Sequence, residues 1–470
     1  MRKLIEKSAV LLLPLLAMFV TGCLNEPEPT PIGDTPAAVS FSAYLLNTKD
    51  ARHTRAGYTG EIDTEQLQAS ETNGFGVFTT YTGTEDFSSS SLSNFMWNQQ
   101  VTYSGLGGGV TSWVYSPLKY WPNDNRPADD QDNDTGNNPA QGSGLYGGKL
   151  SFFAYAPWVA AGTVASAPAS DAAIGEATGI VAMTGNGATV AGTYLTYRLP
   201  ASRRVSERVD LLWAYPQKNR TKTDGAGYTS GTVDLHFIHA LSKLTVRVRA
   251  LIDHTSPDDH AAEYAETLHE NTRVLIESVS ISAPTFHTTG NLYVAPLDAT
   301  PAVPRWEGLS GSATLDFSSD VDPVLKYAGS LPFNTNNDDA SEAKADFDAM
   351  TQTGVTEEER SLFADENTAY LVLPDGVAQT LQVTIRYHVV TYDAALTLSD
   401  PKYFSHVTND IVSTATGTIT FEPNKFYTLR LLLGLTTVKF EVDVDDWAVP
   451  MVLDGVVTPW GEQTKEANVE

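Results

Sequence analysis

The sequence predicts an all-β protein with minor helix, built as two antiparallel β-sandwiches in tandem. Val, Thr, Tyr and Phe recur in short runs with apolar residues at every second position, the period of a half-buried strand. Gly, Pro, Asn and Asp interrupt those runs repeatedly. Strands do not alternate with helical patterns, as a parallel α/β sheet would require. At 470 residues, 41% of them hydrophobic, the chain is long enough for more than one core.

The first run, 38–46 (AVSFSAYLL), sets Val39, Phe41, Ala43 and Leu45 on one face and Ser40, Ser42 and Tyr44 on the other. Strands are expected next at 74–82, 94–104 and 112–122. An Asn/Asp/Gly-rich loop covers 123–148, and strands return at 149–159, 192–200 and 209–217. The polar stretch 218–231 is the best division, giving units 56–228 and 229–447. In the second half, 232–251, 272–282, 289–294, 368–376, 380–393, 416–435 and 437–447 read as strands. In the last of these Val438, Phe440, Val442 and Val444 face one way and Lys439, Glu441 and Asp443 the other. Helical spacing is confined to 259–270 and, more weakly, 339–350. No short repeat of the solenoid or propeller kind is present.

The N-terminus reads as an export signal, residues 1–22. Arg2 and Lys3 precede the apolar core Ala9–Val20, which is too short for a comfortable membrane span. The sequence Val20-Thr21-Gly22-Cys23 resembles the lipobox of bacterial lipoproteins, and Cys23 is the single cysteine of the chain. Cys23 is therefore the expected lipidation site, with acyl chains such as palmitate holding the precursor at the cell outer membrane. Residues 24–37, Pro-rich and acidic, read as a tether.

The net charge of −27 repels phosphate backbones and offers no polybasic membrane surface, which argues against nucleic acid as a partner. The spacing Asp130-x-Asp132-x-Asp134, within Asp129–Asp134, resembles a calcium loop. Gly136 falls one place late for that motif, however, and no Glu closes it, so a solvated loop is the expectation and no metal is assigned. His236 and His239 lie on opposite faces of one expected strand, which argues against joint ligation. No GxSxG elbow, HExxH or P-loop occurs. Asp and Glu are abundant, but no pair is singled out for glycoside hydrolysis. Asp443–Trp447 reads as an exposed strand end, and Ser88–Ser91 as a loop tip. Against this acidic background the segment 49–60 is basic, with Lys49, Arg52, His53 and Arg55 close together.

Taken in order, the lipobox, TRAG (54–57), FGVFTTY (75–81), FMWNQQV (95–101), WVYSPLKYWP (113–122), LSFFAYAPW (150–158), DLLWA (210–214), FIHALSKLTVRV (237–248), YLVLP (370–374) and the run from KFYTLRLLLGL (425–435) to VDVDDW (442–447) resemble the fimbrillin family. These are pilin subunits of type V pili in Bacteroidales. The resemblance implies two transthyretin-like sandwiches, no cofactor, no enzymatic activity, and a lipoprotein precursor that ends in an extracellular fimbrium. It implies that a trypsin-like or Arg-specific protease cuts in an N-terminal loop and releases leader 23–55, whose strand is then replaced by a strand of a neighbouring subunit. On this sequence the cut falls at Arg55-Ala56, with Arg52 as second choice.

Burial of the leader strand's inward side chains is worth on the order of 5 to 9 kcal/mol as an upper bound. A donor strand of matching period recovers that and the ladder hydrogen bonds. Because donor and acceptor sites differ, the contact is heterologous and builds an open filament. The family's donor is C-terminal, which points to tail 448–470, with Met451, Leu453, Val456 and Trp460 as candidate donor residues and Pro450 and Pro459 limiting its length. Expected partners are other fimbrial subunits, in a homo- or hetero-polymer. The alternative is a lipid-anchored tip adhesin or surface glycan-binding protein using Trp113 or Trp121 as sugar platforms, and a third reading is an envelope glycoside hydrolase.

Overall fold

The computed structural model describes residues 38–45, 60–104, 112–122, 148–161, 179–185, 189–200, 203–221, 232–250, 271–284, 286–295, 302–414, 418–434, 438–447 and 465–467. Ten strands come first: β1 (Ser40–Leu45), β2 (Phe75–Tyr81), β3 (Met96–Ser104), β4 (Ser112–Val114), β5 (Leu150–Ala156), β6 (Gly179–Thr184), β7 (Tyr194–Arg198), β8 (Leu212–Ala214), β9 (Gln217–Arg220) and β10 (Thr232–His239). Then follow β11 (Ser242–Ala250), β12 (Thr272–Ser282), β13 (Thr289–Tyr293), β14 (Arg305–Ser310), β15 (Thr314–Asp316), β16 (Arg360–Ser361) and β17 (Tyr370–Val372). The last are β18 (Ala378–Gln379), β19 (Gln382–Tyr392), β20 (Phe404–Thr414), β21 (Ile419–Thr420), β22 (Lys425–Leu433), β23 (Val438–Asp446) and β24 (Lys465–Ala467). The all-β expectation is met.

The first sheet runs β1-β10-β8-β5-β2-β3-β4, with β9 beside β5. Its central strand β5, LSFFAYA, is buried along its whole length, because Phe152 and Ala154 face one core and Phe153 and Tyr155 the other. That is why its sequence does not alternate: Ser151 apart, apolar residues follow one another. The inner core holds Phe75, Val101, Phe152, Leu235, Phe237 and the leader residues. On the opposite face, Phe78, Tyr155 and Trp213 share a core with Leu195 and Tyr197 of β7 and Leu292 of β13, in the four-stranded sheet β14-β13-β7-β6.

The other sandwich pairs the sheet β16-β11-β22-β23-β24, with β17 beside β11, against β15-β12-β19-β20. Val246 and Leu429 from one sheet meet Val279 and Ile385 from the other in its core. In both units the first strand is paired in parallel with a late one, β1 with β10 and β11 with β22. β11, however, is also held by β16 and β17 on its other side.

Several single runs divide. Residues 232–251 become two strands in different sheets, turning at Ala240–Leu241, where Ala240 N donates to Leu211 O and Asn424 N to Leu241 O. Residues 218–220 of the polar stretch belong to β9; β9 and β10 are both strands of the first sheet, and that sheet continues as far as His239. Residues 209–217 split into β8 and β9 at Pro216, which has no N–H for a ladder. Only Ser112–Val114 of the run 112–122 is strand, since Pro117 interrupts it. β20 escaped the sequence reading because it is an edge strand, with most side chains exposed and only Phe404, Asn409 and Ser413 buried.

Of the helices, α1 (Thr64–Gln68) is capped by Asp63, whose side chain accepts from Gln66 N. The weak signal at 339–350 is α2 (Ala340–Asp348), capped by Asp339 and packed through Ala343 and Phe347 on Tyr403 and Phe404. The helix expected at 259–270 lies outside the described residues. Among the described residues no helix is long and apolar enough to cross a membrane.

Candidate functional site: the leader strand and its groove

The first sheet curls until its two edges meet at β1. On one side β1 runs parallel to β10, from Ser40 opposite Thr232 to Leu45 opposite Phe237. On the other, Val39 N donates to Lys119 O at 2.9 Å, and Ala38 bridges Tyr120. The Tyr115 hydroxyl donates to Val39 O at 2.7 Å. Burial pushes that phenol up, which keeps it a donor. β1 is thus the stave that closes the barrel-like sheet, and without it the two edges face each other across an open slot.

The inward face follows the sequence period. Val39, Phe41, Ala43 and Leu45 are all buried. The Phe41 ring lies edge-on to Phe75, Phe152 and Tyr115, with centroids 6.1, 6.0 and 5.6 Å away. The outward face is polar and paired. Ser40 Oγ lies 2.7 Å from Thr232 Oγ1, the Ser42 hydroxyl donates to Asp234, and the Tyr44 hydroxyl bonds His236 Nε2 with the rings 4.4 Å apart. His236 therefore works singly at the rim, on the opposite face from His239, as the strand period requires. Among the described residues no group of His, Cys, Asp and Glu is placed to hold a metal ion.

Beyond the basic segment, the chain is pinned again at Gly60–Ile62. Gly60, at φ +121°, donates from its N to Arg208 O, a backbone conformation that L side chains rarely adopt. Asp210, fully buried, accepts from Ile62 N at 3.0 Å, from Leu211 N at 2.8 Å and from His239 Nδ1 at 2.7 Å. His239 stacks on the Trp447 indole at 4.0 Å. Glu61 ties this knot together, accepting from Trp447 Nε1 and from Lys243 Nζ, both at 2.8 Å. Desolvation pushes the Glu61 carboxyl up, but Lys243 and His239 beside it outweigh that and hold it below the usual carboxylate range.

One knot therefore anchors the chain just after the basic segment, the turn between the two sandwiches, and the root of the C-terminal tail. Trp447→Phe keeps an aromatic ring against His239 but removes the indole N–H and part of the buried ring system. It is expected to cost about 1 kcal/mol of stability, read from the urea midpoint.

Two sequence expectations change here. Trp113 and Trp121 are 9% and 4% exposed and belong to the inner core, against Phe75 and Phe152 respectively. They are not sugar platforms; a large aromatic closing the open end of a curled sheet gains more from burial than from display. Asp445 and Asp446 are exposed as expected, whereas Trp447 is buried. Cys23, Arg52, Arg55, Ala56, the Asp129–Asp134 loop and the tail residues Met451, Leu453, Val456 and Trp460 lie outside the described residues. Sequence reasoning missed Tyr115, Thr232, Asp234 and Glu61. The polar parity of Ser40, Ser42 and Tyr44 was legible, but nothing local named the strand they meet.

Fold and site together define a class: a double β-sandwich protein whose first core is completed by a strand lying upstream of a basic segment. A fimbrial protein from Bacteroides vulgatus ATCC 8482 is similar, with a TM-score of 0.51 and 16% sequence identity over 87% of this chain and 99% of that one. A candidate cell adhesion protein from Bacteroides uniformis ATCC 8492 is similar at 14% identity and a TM-score of 0.34, covering 89% of this chain and 100% of that one. The C-terminally truncated tip fimbrial protein Mfa3 from Porphyromonas gingivalis aligns at 9% identity and a TM-score of 0.30, over 81% and 96%. No protein-family model and no curated protein matches the chain. At these identities the Bacteroides vulgatus comparison shows a shared fold, and the fold implied by the fimbrillin resemblance is the one found.

Proposed function

We propose that the chain is a structural subunit of a cell-surface fimbrium, exported as a lipoprotein through Cys23. A trypsin-like or Arg-specific protease cuts after Arg55, the leader with β1 departs, and a strand of a neighbouring subunit takes its place. The observation that carries this reading is the position of β1. It buries four side chains in the first core, yet it is the terminal strand of its sheet and joins the rest of the chain only through the segment that holds Arg52 and Arg55. Losing it exposes an apolar floor and the backbone edge of β10, both costly in water. A donor strand restores both, and since the donor lies elsewhere on the subunit, the contacts propagate. The role is structural rather than catalytic, and the sandwiches divide at Ala240–Leu241.

Limited trypsin treatment of purified protein tests this. The new N-terminus is expected at Ala56, followed by filaments visible in negative stain. A product beginning elsewhere, or cut protein that stays monomeric both alone and with the other fimbrial subunits present, removes the proposal. Deleting residues 448–464, which leaves β24 in place, is expected to abolish self-assembly if the tail is the donor; unchanged self-assembly places the donor elsewhere in this chain.

A further inference from the structure

β1 is matched to its groove on the outer face as well as the inner one. Of its three outward side chains, only the middle one meets a charged partner, the Ser42 hydroxyl donating to the Asp234 carboxylate. A carboxylate accepts hydrogen bonds and cannot donate. The geometry points to a selection rule for the strand that succeeds β1: Asp234 favours an occupant with a hydrogen-bond-donating side chain at its middle outward position and opposes an acid there. This inference rests on the proposed strand exchange.

The rule bears on the chain's own tail. An occupant that matches β1 has four inward residues at alternate positions and three outward ones between them. The middle outward residue is the same whichever way the strand runs. Starting inward at Val449, that place falls to Val452; at Met451, to Asp454; at Leu453, to Val456. None of the three donates a hydrogen bond, and one sets an acid against Asp234. The other parity turns Asp454 or Glu462 into the apolar floor. The favoured partner is therefore a strand of a different subunit, with Ser, Thr or Asn between its second and third inward residues, rather than residues 449–459 of a second copy.

Two measurements decide this. In the full chain, Ser42→Thr is expected to leave the urea midpoint near that of the parent. Ser42→Asp is expected to lower the folding equilibrium constant about tenfold. Adding Asp234→Asn to Ser42→Asp is expected to recover most of that loss, and strictly additive effects overturn the rule.

In trypsin-cut protein with a dye on Cys23, displacement of the leader is followed as unlabelled peptides are added. Peptide 38–46 is expected to displace it, and its Ser42→Asp version to act about tenfold more weakly. Peptide 449–459 is expected to be weak and to improve with Asp454→Ser. Equal displacement by every peptide overturns the selection rule and leaves strand exchange standing. Displacement by none, peptide 38–46 included, overturns the exchange itself and the rule with it.

Discussion

A chain carrying Arg55→Ala is expected to keep its leader under limited trypsin and to stay monomeric, while Arg52→Ala matures and polymerises as the parent does. The expectation follows from tethering. While the segment between Leu45 and Gly60 is intact, β1 competes for its groove as part of the same molecule, at an effective concentration in the millimolar range. An incoming strand at micromolar concentration loses that competition even with equal contacts. One peptide-bond cleavage abolishes the advantage, because a departed leader is diluted into bulk. The effect is all-or-none, and N-terminal sequencing with electron microscopy reads it. If Arg55→Ala still matures at the parental rate and Arg52→Ala does not, the cut belongs to Arg52. If both mature, either arginine serves, and the double variant Arg52→Ala/Arg55→Ala decides whether the basic segment is the protease address.

Phe41→Ala is expected to destabilise the uncut precursor by about 3 to 5 kcal/mol and to leave the polymerised product unchanged. Phe41 is the largest side chain that β1 places in the core, edge-on to three rings that the rest of the sheet holds in position. Truncation leaves a cavity that Phe75, Phe152 and Tyr115 cannot close without shifting the strands that carry them. Since Phe41 departs with the leader, the cost is confined to the precursor. Chemical denaturation before and after maturation separates the two states. A stability loss that persists in the filament would mean that β1 stays in place, which the strand-exchange reading forbids.

The contrast between β1 and β11 explains how much of this was legible. Both alternate cleanly, and both first-strand positions pair in parallel with a later strand. Nothing in their sequences says that β11 is flanked on both sides by regular strands while β1 meets, on its far side, only the irregular stretch around Tyr115 and Lys119. Strand neighbours are set by contacts across long separations, of which the local period carries no trace. The same reason misplaced Trp113 and Trp121. Their run looked like an exposed aromatic strand until the sheet curled and turned it over the core. It also hid where the chain changes sheet: β9 and β10 on either side of the polar stretch belong to one sheet, while the change to the next sheet falls at Ala240–Leu241, between the buried His239 and Ser242.

The sequence by itself determined that the chain is all-β, and it determined which face of each strand is apolar, because a period of two can satisfy only a half-buried pleat. It marked an export signal, one lipidation candidate and one basic segment, because those depend on residues adjacent in the chain. Only the tertiary structure decided that β1 is the closing stave, that Ser42 on its outer face meets Asp234, and that Glu61 and Trp447 join at one knot. Each of those joins residues far apart in the chain, Ser42 to Asp234 and Glu61 to Trp447, and such pairs come together only when burial of the two cores selects one sheet order from many.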